Sequence, residues 1–346
     1  MTFKSLKKYR KIYIFTVSSK KLGSGHLKRS MVIKDYLKKK GIQCKILLFG
    51  ETREQNFHFQ TNSNPLSTFI DTYKKIILKH DNFIILDCSN SKIMKKNFII
   101  QIKKYSTNHQ NKIFIIDSLH KDNLISKIQL TKISFMLPYF TEKKYLFKFR
   151  KFKKKLIGPK YFIFNKYFKN IKNKKIKKIN NILITFGASD LFNATLKILK
   201  KIMDNFKSSK ITIVIGPYFS KNLIVKIKNF ANKENNITCI DYSSNIIKLI
   251  NDNDLLVTNS GLTKYEFCLS NKRVLIYSEN KSNQLINLPF NKKNLCYHYS
   301  YLEKDKKMSK IRFNSKYNIM NKNRKKVLDT KGLNRIFSYL KNQLTY

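Results

Sequence analysis

The sequence is poor in the residues that mark fibrous and low-complexity chains. It has nine glycines and five prolines in 346 residues, which excludes collagen-like, mucin-like and flexible linker-like proteins. Long apolar runs are also missing, since no stretch approaches the roughly 18 residues that a membrane-spanning helix needs. The basic start is followed by an apolar run at 12–17 that is shorter than a secretory signal requires, with no small-residue cleavage site after it. We therefore expect a cytoplasmic protein.

Cysteine is scarce and shows no pattern. The five cysteines lie at positions 44, 88, 239, 268 and 296, an odd number without any CxxC spacing. An odd number of scattered cysteines favours free, mostly buried thiols in a reducing compartment over a disulfide framework.

Acidic residues are few: 72 Lys and Arg face 20 Asp and Glu, which gives a formal net charge of +52. A basic surface attracts nucleotide phosphates and the anionic headgroups of the inner membrane face, where peripheral contact is expected. The lysines are spread along the whole chain, and recurrent Lys, Asn and Ile are typical of A/T-rich coding sequence. Zinc-finger spacing and RNA-recognition aromatic motifs are missing, so no specific nucleic-acid partner is predicted.

The apolar content and the hydrophobic pattern of the sequence indicate a globular α/β protein. Apolar residues make up 42% and aromatic residues 13% of the chain, and the length allows about two domains. Short β-branched or aromatic runs alternate with amphipathic stretches, which predicts parallel sheets with helical crossovers. In the first half the predicted strands are 12–17, 44–49, 83–87, 113–117 and 133–137, and the predicted helices are 27–40, 66–79 and 93–105. In the second half the predicted strands are 182–186, 211–215, 236–240, 255–258 and 274–277, and the predicted helices are 192–206, 221–232, 246–251, 263–269 and 332–344.

This alternation predicts two doubly wound, Rossmann-like α/β domains. The basic, pattern-poor stretch 165–180 between them is the predicted linker. The domains are therefore expected at 1–164, an N-terminal acceptor and catalytic domain, and at 181–346, a C-terminal nucleotide-binding domain. Ligands of such sheets bind at the carboxyl ends of the strands.

The loop after the first predicted strand contains GSGHLKR at 23–29. Its glycines allow close backbone approach, and the helix behind it offers unpaired N–H groups. The segment is neither GxGxxG nor a P-loop. His26 falls in the first turn of the helix, where the helix dipole disfavours the imidazolium, so a neutral histidine base is predicted. The alternative is a surface or loop-packing histidine.

Two loops of the second half are candidate nucleotide contacts. The sequence GASD at 187–190 precedes a helix, which fits an anion site and equally a helix cap by Ser189 or Asp190, and the two roles do not exclude each other. The sequence NSGLT at 259–263 precedes Glu266, whose carboxylate can accept both hydroxyls of a ribose or simply complement the helix dipole. The polar residues at 278–280 and Gln284 follow the next strand and are placed to contact a sugar.

The segments of the first half resemble a known family. The sequence at 23–29 resembles the GxGHxxR segment of the hydrolases that act on UDP-2,4-diacetamido-2,4,6-trideoxy-β-L-altropyranose in pseudaminic acid synthesis, and of related spore-coat polysaccharide proteins. The sequence GPKY at 158–161, which ends in Tyr161, is similar to the GxxY element of the same family.

The second half continues the same ordered series. The sequence FGASD at 186–190, with Asn193 behind it, is similar to the family's GG(S/T)D loop. The sequence NSGLTKYE at 259–266, followed by Asn280 and Gln284, resembles the family's SGxTxxE…N…Q series. Together the motifs cover most of the chain up to about residue 285.

The resemblance implies the two-domain glycosyltransferase-B fold that MurG-like transferases share. It implies that the C-terminal domain binds UDP, with the uracil near residues 239–242, and that His26 orients or activates a water at the anomeric carbon. UDP and the free sugar would be released without a metal or a cofactor. The substrate contacts that the resemblance implies are Gly23, Ser24, Gly25, Arg29, Tyr161, Gly187, Ser189, Asp190, Asn193, Ile240, Ser260, Gly261, Leu262, Thr263, Glu266, Asn280 and Gln284.

The sequence departs from this family at two places in its first half. The family has an aspartate upstream of GxGH, where this chain has Val17, and its third strand ends in Asp-His-Tyr, where this chain has DCS at 87–89 with Ser89 in the tyrosine position. Two alternatives to the hydrolase remain open. One is a glycosyltransferase of the same fold that moves the sugar to a membrane-associated acceptor, and the other is a non-catalytic nucleotide-sugar binder.

Overall fold

The structure is a computed structural model. It describes residues 11–19, 23–50, 66–79, 82–89, 96–118, 124–142, 146–172, 176–242, 245–300, 313 and 316–344. The chain divides into two compact units, here called the first and the second unit. The first comprises Met1–Asn165 with Thr330–Tyr346, and the second comprises Lys166–Asp329.

Each unit contains a six-stranded parallel sheet. The first sheet has the order β2-β1-β3-β4-β5-β6, and the second has the order β12-β11-β10-β7-β8-β9. The strands of the first are β1 (Lys11–Ser18), β2 (Cys44–Gly50), β3 (Asn82–Asp87), β4 (Ile113–Ile116), β5 (Ser134–Leu137) and β6 (Lys155–Ile157). The strands of the second are β7 (Asn181–Thr185), β8 (Lys210–Ile215), β9 (Ile237–Asp241), β10 (Leu255–Thr258), β11 (Arg273–Ser278) and β12 (Tyr297–Ser300).

Helices connect the strands in both units. The first unit contains α1 (Gly25–Lys39), α2 (Leu66–Ile77), α3 (Lys96–Ser106) and α4 (Leu124–Ile128). The second contains α5 (Ala194–Asn205), α6 (Lys221–Ala231), α7 (Ile246–Asp252), α8 (Thr263–Cys268), α9 (Lys281–Lys292) and α10 (Tyr317–Val327). The last helix, α11 (Gly332–Leu344), returns to the first unit.

The inner strands are mostly apolar and buried because both faces of each sheet are covered. On β3, Ile84 and Leu86 pack in one core cluster together with Phe98 of α3. The alternate residues Phe83 and Ile85 pack in a second cluster, to which α1 and α11 contribute.

The strand orders place one switch point in each sheet. In the first, β1 lies between β2 and β3, and in the second, β7 lies between β8 and β10. Ligands of open α/β sheets bind beyond the carboxyl ends of the strands at such points. The two doubly wound Rossmann-like domains expected from the sequence are therefore confirmed.

The domain boundaries differ from those expected. The helix at 332–344 was assigned to the C-terminal domain, but Ile336, Phe337 and Leu340 pack in a core cluster of the first unit. The stretch 165–180 was expected to be a linker, yet its described residues after 165 pack with the second unit, and Phe168 is buried there. An amphipathic pattern shows that a segment has a buried face but not which sheet it covers.

Several elements were absent from the sequence-based prediction. They are the edge strands β6 and β12 and the helices α4, α9 and α10. Strand β6 has only three residues, and β12 contains the polar residues His298 and Ser300, so neither forms the continuous apolar run that predicts a buried strand. Residues 93–95 of the predicted helix 93–105 lie outside the described residues.

Two expectations about composition can be compared with the structure. Among the described residues, no helix is both long and apolar enough to cross a membrane. All five cysteines are free thiols; Cys88, Cys268 and Cys296 are buried, and Cys44 and Cys239 are half-buried. The prediction of free, mostly buried thiols is confirmed.

Candidate functional site

His26 lies at the switch point of the first sheet. Gly23 has a positive φ of 71°, and Ser24 precedes α1, so the turn after β1 brings His26 into the first turn of the helix. The Nδ1 atom of His26 is 2.6 Å from Oδ1 of Asp87, the last residue of β3. Parallel pairing sets Thr16 of β1 opposite Asp87, which brings the carboxylate next to this turn.

Arg29 completes a buried charged cluster around Asp87. It lies three residues after His26, so both side chains face the same carboxylate. Its Nε donates to Oδ2 of Asp87 at 2.9 Å, and its Nη2 donates to Oδ1 at 2.5 Å. Burial alone would raise the pKa of Asp87, but the charges and hydrogen bonds of Arg29 and His26 outweigh it and lower that pKa. Asp87 is therefore ionised at neutral pH.

The ionised partner fixes the tautomer of His26. A carboxylate only accepts hydrogen bonds, so the 2.6 Å contact places a hydrogen on Nδ1. Nη2 of Arg29 lies 3.2 Å from the same nitrogen, but it donates at the shorter distance of 2.5 Å to Oδ1 of Asp87. In the neutral ring the lone pair is then on Nε2, which can accept a proton. The same pairing orients histidine bases in serine hydrolases and stabilises the imidazolium that forms.

Tyr139 is a candidate that the sequence analysis missed. It follows β5 at the carboxyl edge of the sheet, and its hydroxyl accepts a hydrogen bond from Nη1 of Arg29 at 2.5 Å. Burial raises the pKa of Tyr139, so the hydroxyl stays neutral. At the two departures from the family pattern, Val17 is buried in β1, and Ser89 donates to Asp117, which caps α4 through two backbone N–H groups.

Two predicted contact residues belong to the edges of the sheets. Tyr161 follows the edge strand β6 in the turn Pro159–Tyr161 and packs against the core cluster that includes α11 residues. Ile240 lies on β9, the edge strand of the second sheet, two strands from β7.

The loop after β7 is shaped by its glycine and its aspartate. Gly187 has a φ of 75°, a conformation that favours glycine. The buried Asp190 carboxylate accepts from two backbone N–H groups of α5, at 2.8 and 2.7 Å. Asp190 is therefore the helix cap that was one of its two sequence interpretations, whereas Ser189 and Asn193 lie in the same turn without capping α5 by their side chains. Gly216 was missed: a Cβ there would lie 2.3 Å from the carbonyl oxygen of Gly187.

Asn259 ties together the loops that follow three neighbouring strands. Its Oδ1 accepts from the N–H of Gly261 at 3.1 Å. Its Nδ2 donates to the carbonyl of Phe186 at 3.4 Å and to Oε1 of Glu279 at 3.0 Å. The loops after β7, β10 and β11 therefore meet at the switch point of the second sheet, as expected for adjacent parallel strands.

The other predicted residues of the second unit occupy the same edge. Leu262 precedes α8, Thr263 begins it, and the half-buried Glu266 lies in its first turn. Asn280 caps α9, because its Oδ1 accepts from the N–H of Asn283 at 2.9 Å. Gln284 follows in the first turn of α9.

Glu279 is a half-buried acid in this loop cluster. Its Oε2 accepts from Nδ2 of Asn283 at 2.5 Å. Burial raises the pKa of Glu279 to about 7, and the nearby charge of Asp190 adds to the rise, while hydrogen bonds from Asn259 and Asn283 and the charge of Lys197 oppose it. The carboxyl is thus half-protonated near neutral pH.

This raised pKa predicts a pH effect on stability. Between about pH 4.5 and 7 the folded protein holds a proton on Glu279 that the unfolded chain has released, so the free energy of unfolding falls as the pH rises. The expected loss is on the order of 2–3 kcal/mol across that interval. In Glu279→Gln this loss should disappear, as urea unfolding at pH 5 and pH 7.5 would show. An unchanged pH profile in that variant, or the same flattening in Glu234→Gln, would contradict the assignment.

The described residues contain no group of three or more His, Cys, Asp or Glu side chains arranged to hold a metal ion. The two clusters are instead a histidine with a charged pair in the first unit and a set of amides, hydroxyls and carboxyls in the second. The first can move a proton, and the second can form hydrogen bonds to a polar ligand.

No protein-family model matches the chain. An uncharacterized protein of Methanocaldococcus jannaschii is 28% identical over 299 residues, which are 78% of this chain and 56% of that protein. The chain therefore spans little more than half the length of this curated relative.

Solved structures show the fold. A glycosyltransferase of Rickettsia africae aligns over 97% of this chain and 99% of its own, with 14% identity and a TM-score of 0.63. MurG of Acinetobacter baumannii aligns over 96% and 99%, with 10% identity and a TM-score of 0.56. UDP-GlcNAc 2-epimerase of Neisseria meningitidis, bound to UDP-GlcNAc, aligns over 95% and 99%, with 11% identity and a TM-score of 0.58. The chain has the glycosyltransferase-B fold, as predicted.

Proposed function

We propose that this protein is an enzyme that hydrolyses a UDP-activated amino or deoxy sugar to UDP and the free sugar, for surface-polysaccharide or nonulosonic acid synthesis. The observation that carries the proposal is the pairing of His26 with the ionised Asp87 at a switch point. The glycosyltransferase-B fold supports it, because solved proteins of this fold include one with UDP-GlcNAc bound.

The proposed reaction uses His26 as a general base. Its Nε2 takes a proton from water while the water oxygen forms a bond to the anomeric carbon of the sugar. The bond between that carbon and the phosphate oxygen breaks, and its electron pair leaves with UDP. Asp87 accepts the hydrogen bond from Nδ1 throughout the reaction and stabilises the imidazolium that results. Arg29, in turn, holds Asp87 in place and in its charged form.

The second unit would supply the nucleotide contacts. The loops after β7 and β10 offer backbone N–H groups for phosphates, and Glu266 offers a carboxylate for the ribose hydroxyls. Asn280 uses its Oδ1 to cap α9, so its Nδ2 is the atom proposed to contact the sugar. Gln284, in the first turn of the same helix, would add a second amide.

A glycosyltransferase of the same fold is the second candidate. It is favoured by the likeness to the Rickettsia africae glycosyltransferase over almost the whole of both chains. A His–Asp pair would then remove the proton from an acceptor hydroxyl instead of from water.

Product analysis separates the candidates. Purified protein is incubated with a panel of UDP-amino sugars, with and without lipid-linked acceptor, and UDP and free sugar are quantified. Free sugar and UDP without acceptor support the hydrolase, whereas turnover only with acceptor supports the transferase. Binding without turnover would reduce the protein to a nucleotide-sugar binder and contradict the proposal.

UDP should stabilise the folded protein. A ligand that binds only the folded state adds about 2.7 kcal/mol when its concentration is 100 times Kd, so the melting temperature should rise. Glu266→Ala should remove most of this shift, because the ribose loses its carboxylate partner. The matched control Glu234→Ala changes a glutamate that precedes β9, at the amino ends of the strands, and should keep the shift. Equal shifts in both variants would argue against Glu266 as a ribose ligand.

A further inference from the structure

A buried polar network lies directly beneath the loop that follows β10. Lys264 of α8 is 2% exposed, and its Nζ donates to Oδ1 of Asn287 at 2.9 Å. Asn287 of α9 is fully buried, and its Nδ2 is 2.9 Å from Oγ of both Ser260 and Ser278. Ser278 Oγ is in turn 2.7 Å from Nε2 of His298.

Lys264 fixes the direction of the hydrogen bonds in this network. Burial lowers the pKa of Lys264 to about 7, so below that pH the side chain is an ammonium, which has donors only. Asn287 must therefore turn its carbonyl oxygen toward Lys264 and its NH₂ group toward the two serines. Each of the two amide hydrogens serves one serine, and both serine oxygens are acceptors.

The aromatic rings around Lys264 are a second reason why the oxygen of Asn287 must face Nζ. The Nζ atom lies 4.9 Å from the ring centre of Phe290 and 5.7 Å from that of Tyr265. Cation–π attraction stabilises the ammonium at these faces, but a ring face has no lone pair that could replace the oxygen of Asn287. The oxygen of Asn287 is the hydrogen-bond acceptor that the structure gives to Nζ.

The same logic fixes the tautomer of His298. Ser278 accepts from Asn287, and its single hydroxyl hydrogen has His298 as its remaining partner among the described residues. An unprotonated Nε2 of His298 gives this hydroxyl hydrogen its acceptor, whereas a protonated Nε2 would leave the hydrogen unpaired. Burial and the charge of Lys264 both lower the pKa of His298, in agreement with a neutral ring.

The direction of these hydrogen bonds also determines what the Ser260 hydroxyl can bind at the carboxyl edge of the sheet. Its oxygen accepts from Asn287, so its hydroxyl hydrogen donates away from the network. Ser260 is half-buried in the loop after β10, at the switch point of the second sheet. Because the NH₂ group of Asn287 already donates to the Ser260 oxygen from the inner side, the hydroxyl hydrogen is oriented outward, where an anionic ligand can accept it.

We propose that Lys264 and Asn287 are positioning residues that hold Ser260 as a hydrogen-bond donor to a phosphate oxygen of the bound nucleotide. This inference rests on the proposed function of the second unit. Lys264 and Asn287 themselves do not contact the ligand.

The sharpest test is Asn287→Asp. A carboxylate has acceptors only, so one oxygen pairs with Lys264 and the other requires the serines to donate inward. Ser260 then loses its outward donor. Calorimetry at pH 6.5 should show UDP affinity about 10- to 100-fold lower, the loss of one hydrogen bond to a charged group, while the melting temperature without UDP stays at or above that of the wild type.

Ser260→Ala is the matched partner in a double-mutant cycle. It should weaken UDP binding to the same extent, and adding Asn287→Asp to it should cause no further loss. If Asn287→Asp does not fold, Lys264→Met takes its place, since Asn287 can then turn either way. Wild-type protein that binds no UDP would refute the proposed function. If the wild-type protein binds UDP but the affinity losses of the two single variants add up in the double variant, only this inference is refuted. The same holds if the wild-type protein binds UDP and Asn287→Asp loses no affinity.

A second measurement is independent of UDP. The ¹⁵N chemical shifts of His298 should show an unprotonated Nε2 in the wild-type protein at pH 6.5. In Asn287→Asp that pattern should change, because Ser278 then donates toward residue 287. A protonated Nε2 in the wild type would overturn the deduced direction of the network.

Discussion

Replacing His26 with asparagine is expected to lower turnover of the UDP-sugar by at least about 100-fold, and a positioned general base contributes up to about 10⁴-fold. Asparagine keeps a hydrogen-bonding side chain of similar reach, so the contact with Asp87 can persist. It has no basic nitrogen in place of Nε2 and cannot take the proton from the attacking water. The affinity for UDP should change little, because His26 belongs to the first unit and the nucleotide contacts are proposed in the second.

Steady-state release of UDP, measured beside calorimetric UDP binding, tests this expectation. His109→Asn is the matched control: this histidine lies in the turn Thr107–Lys112, before β4 and at the amino ends of the strands. It should keep wild-type turnover. Asp87→Asn should resemble His26→Asn in kcat, because an amide can favour the wrong tautomer of the imidazole.

The outcomes have distinct meanings. Wild-type turnover in His26→Asn would make His26 a structural residue. A collapse of UDP binding in that variant would instead make it a phosphate ligand, and the base mechanism would lose its main support. A fall in kcat with unchanged UDP affinity is the result that a general base requires.

The sequence located His26 but not the residues that make it a base. Its place at the start of a helix follows from local pattern, since a buried strand and two glycines precede it. Asp87 is 61 residues further along the chain, and only the pairing of β1 with β3 brings it within 2.6 Å. Tyr139 is more distant still and joins through Arg29. Strand order is a tertiary property, so the available signal was only that each residue lies at or just after a strand end.

In the second unit, too, the sequence predicted local loops but not the contacts between distant residues. The loops at 187–190 and 259–263 were predictable from small residues between a strand and a helix. The roles of Lys264 and Asn287 were not, because α9 itself was missed and the contact joins two helices. A lysine in a basic chain gives no sign that it is buried. Its 2% exposure arises from packing with Phe290 and the core around it.

The charged cluster of the first unit should also dominate its stability. Asp87 is fully buried, and Arg29 is 6% exposed. Asp87→Ala would leave the guanidinium in the core without its carboxylate. Breaking a buried ion pair from one side costs about 3–5 kcal/mol. For a folding unit of the size of the first unit, each kcal/mol lowers the melting temperature by about 2–4 °C, so a fall of at least about 6 °C is expected in the transition of that unit.

The double variant Arg29→Met with Asp87→Leu separates charge from packing. Apolar groups of similar volume often replace a buried pair at little cost, so most of the lost stability should return although activity does not. Acid provides a second test: because the pKa of Asp87 is lowered in the folded state, its contribution is present above about pH 4 and is lost as the pH falls further. Urea unfolding of wild type and the double variant between pH 3 and pH 7 measures both effects. If the double variant is as unstable as Asp87→Ala, or if its acid sensitivity equals that of the wild type, the cluster does not stabilise the first unit through its charges.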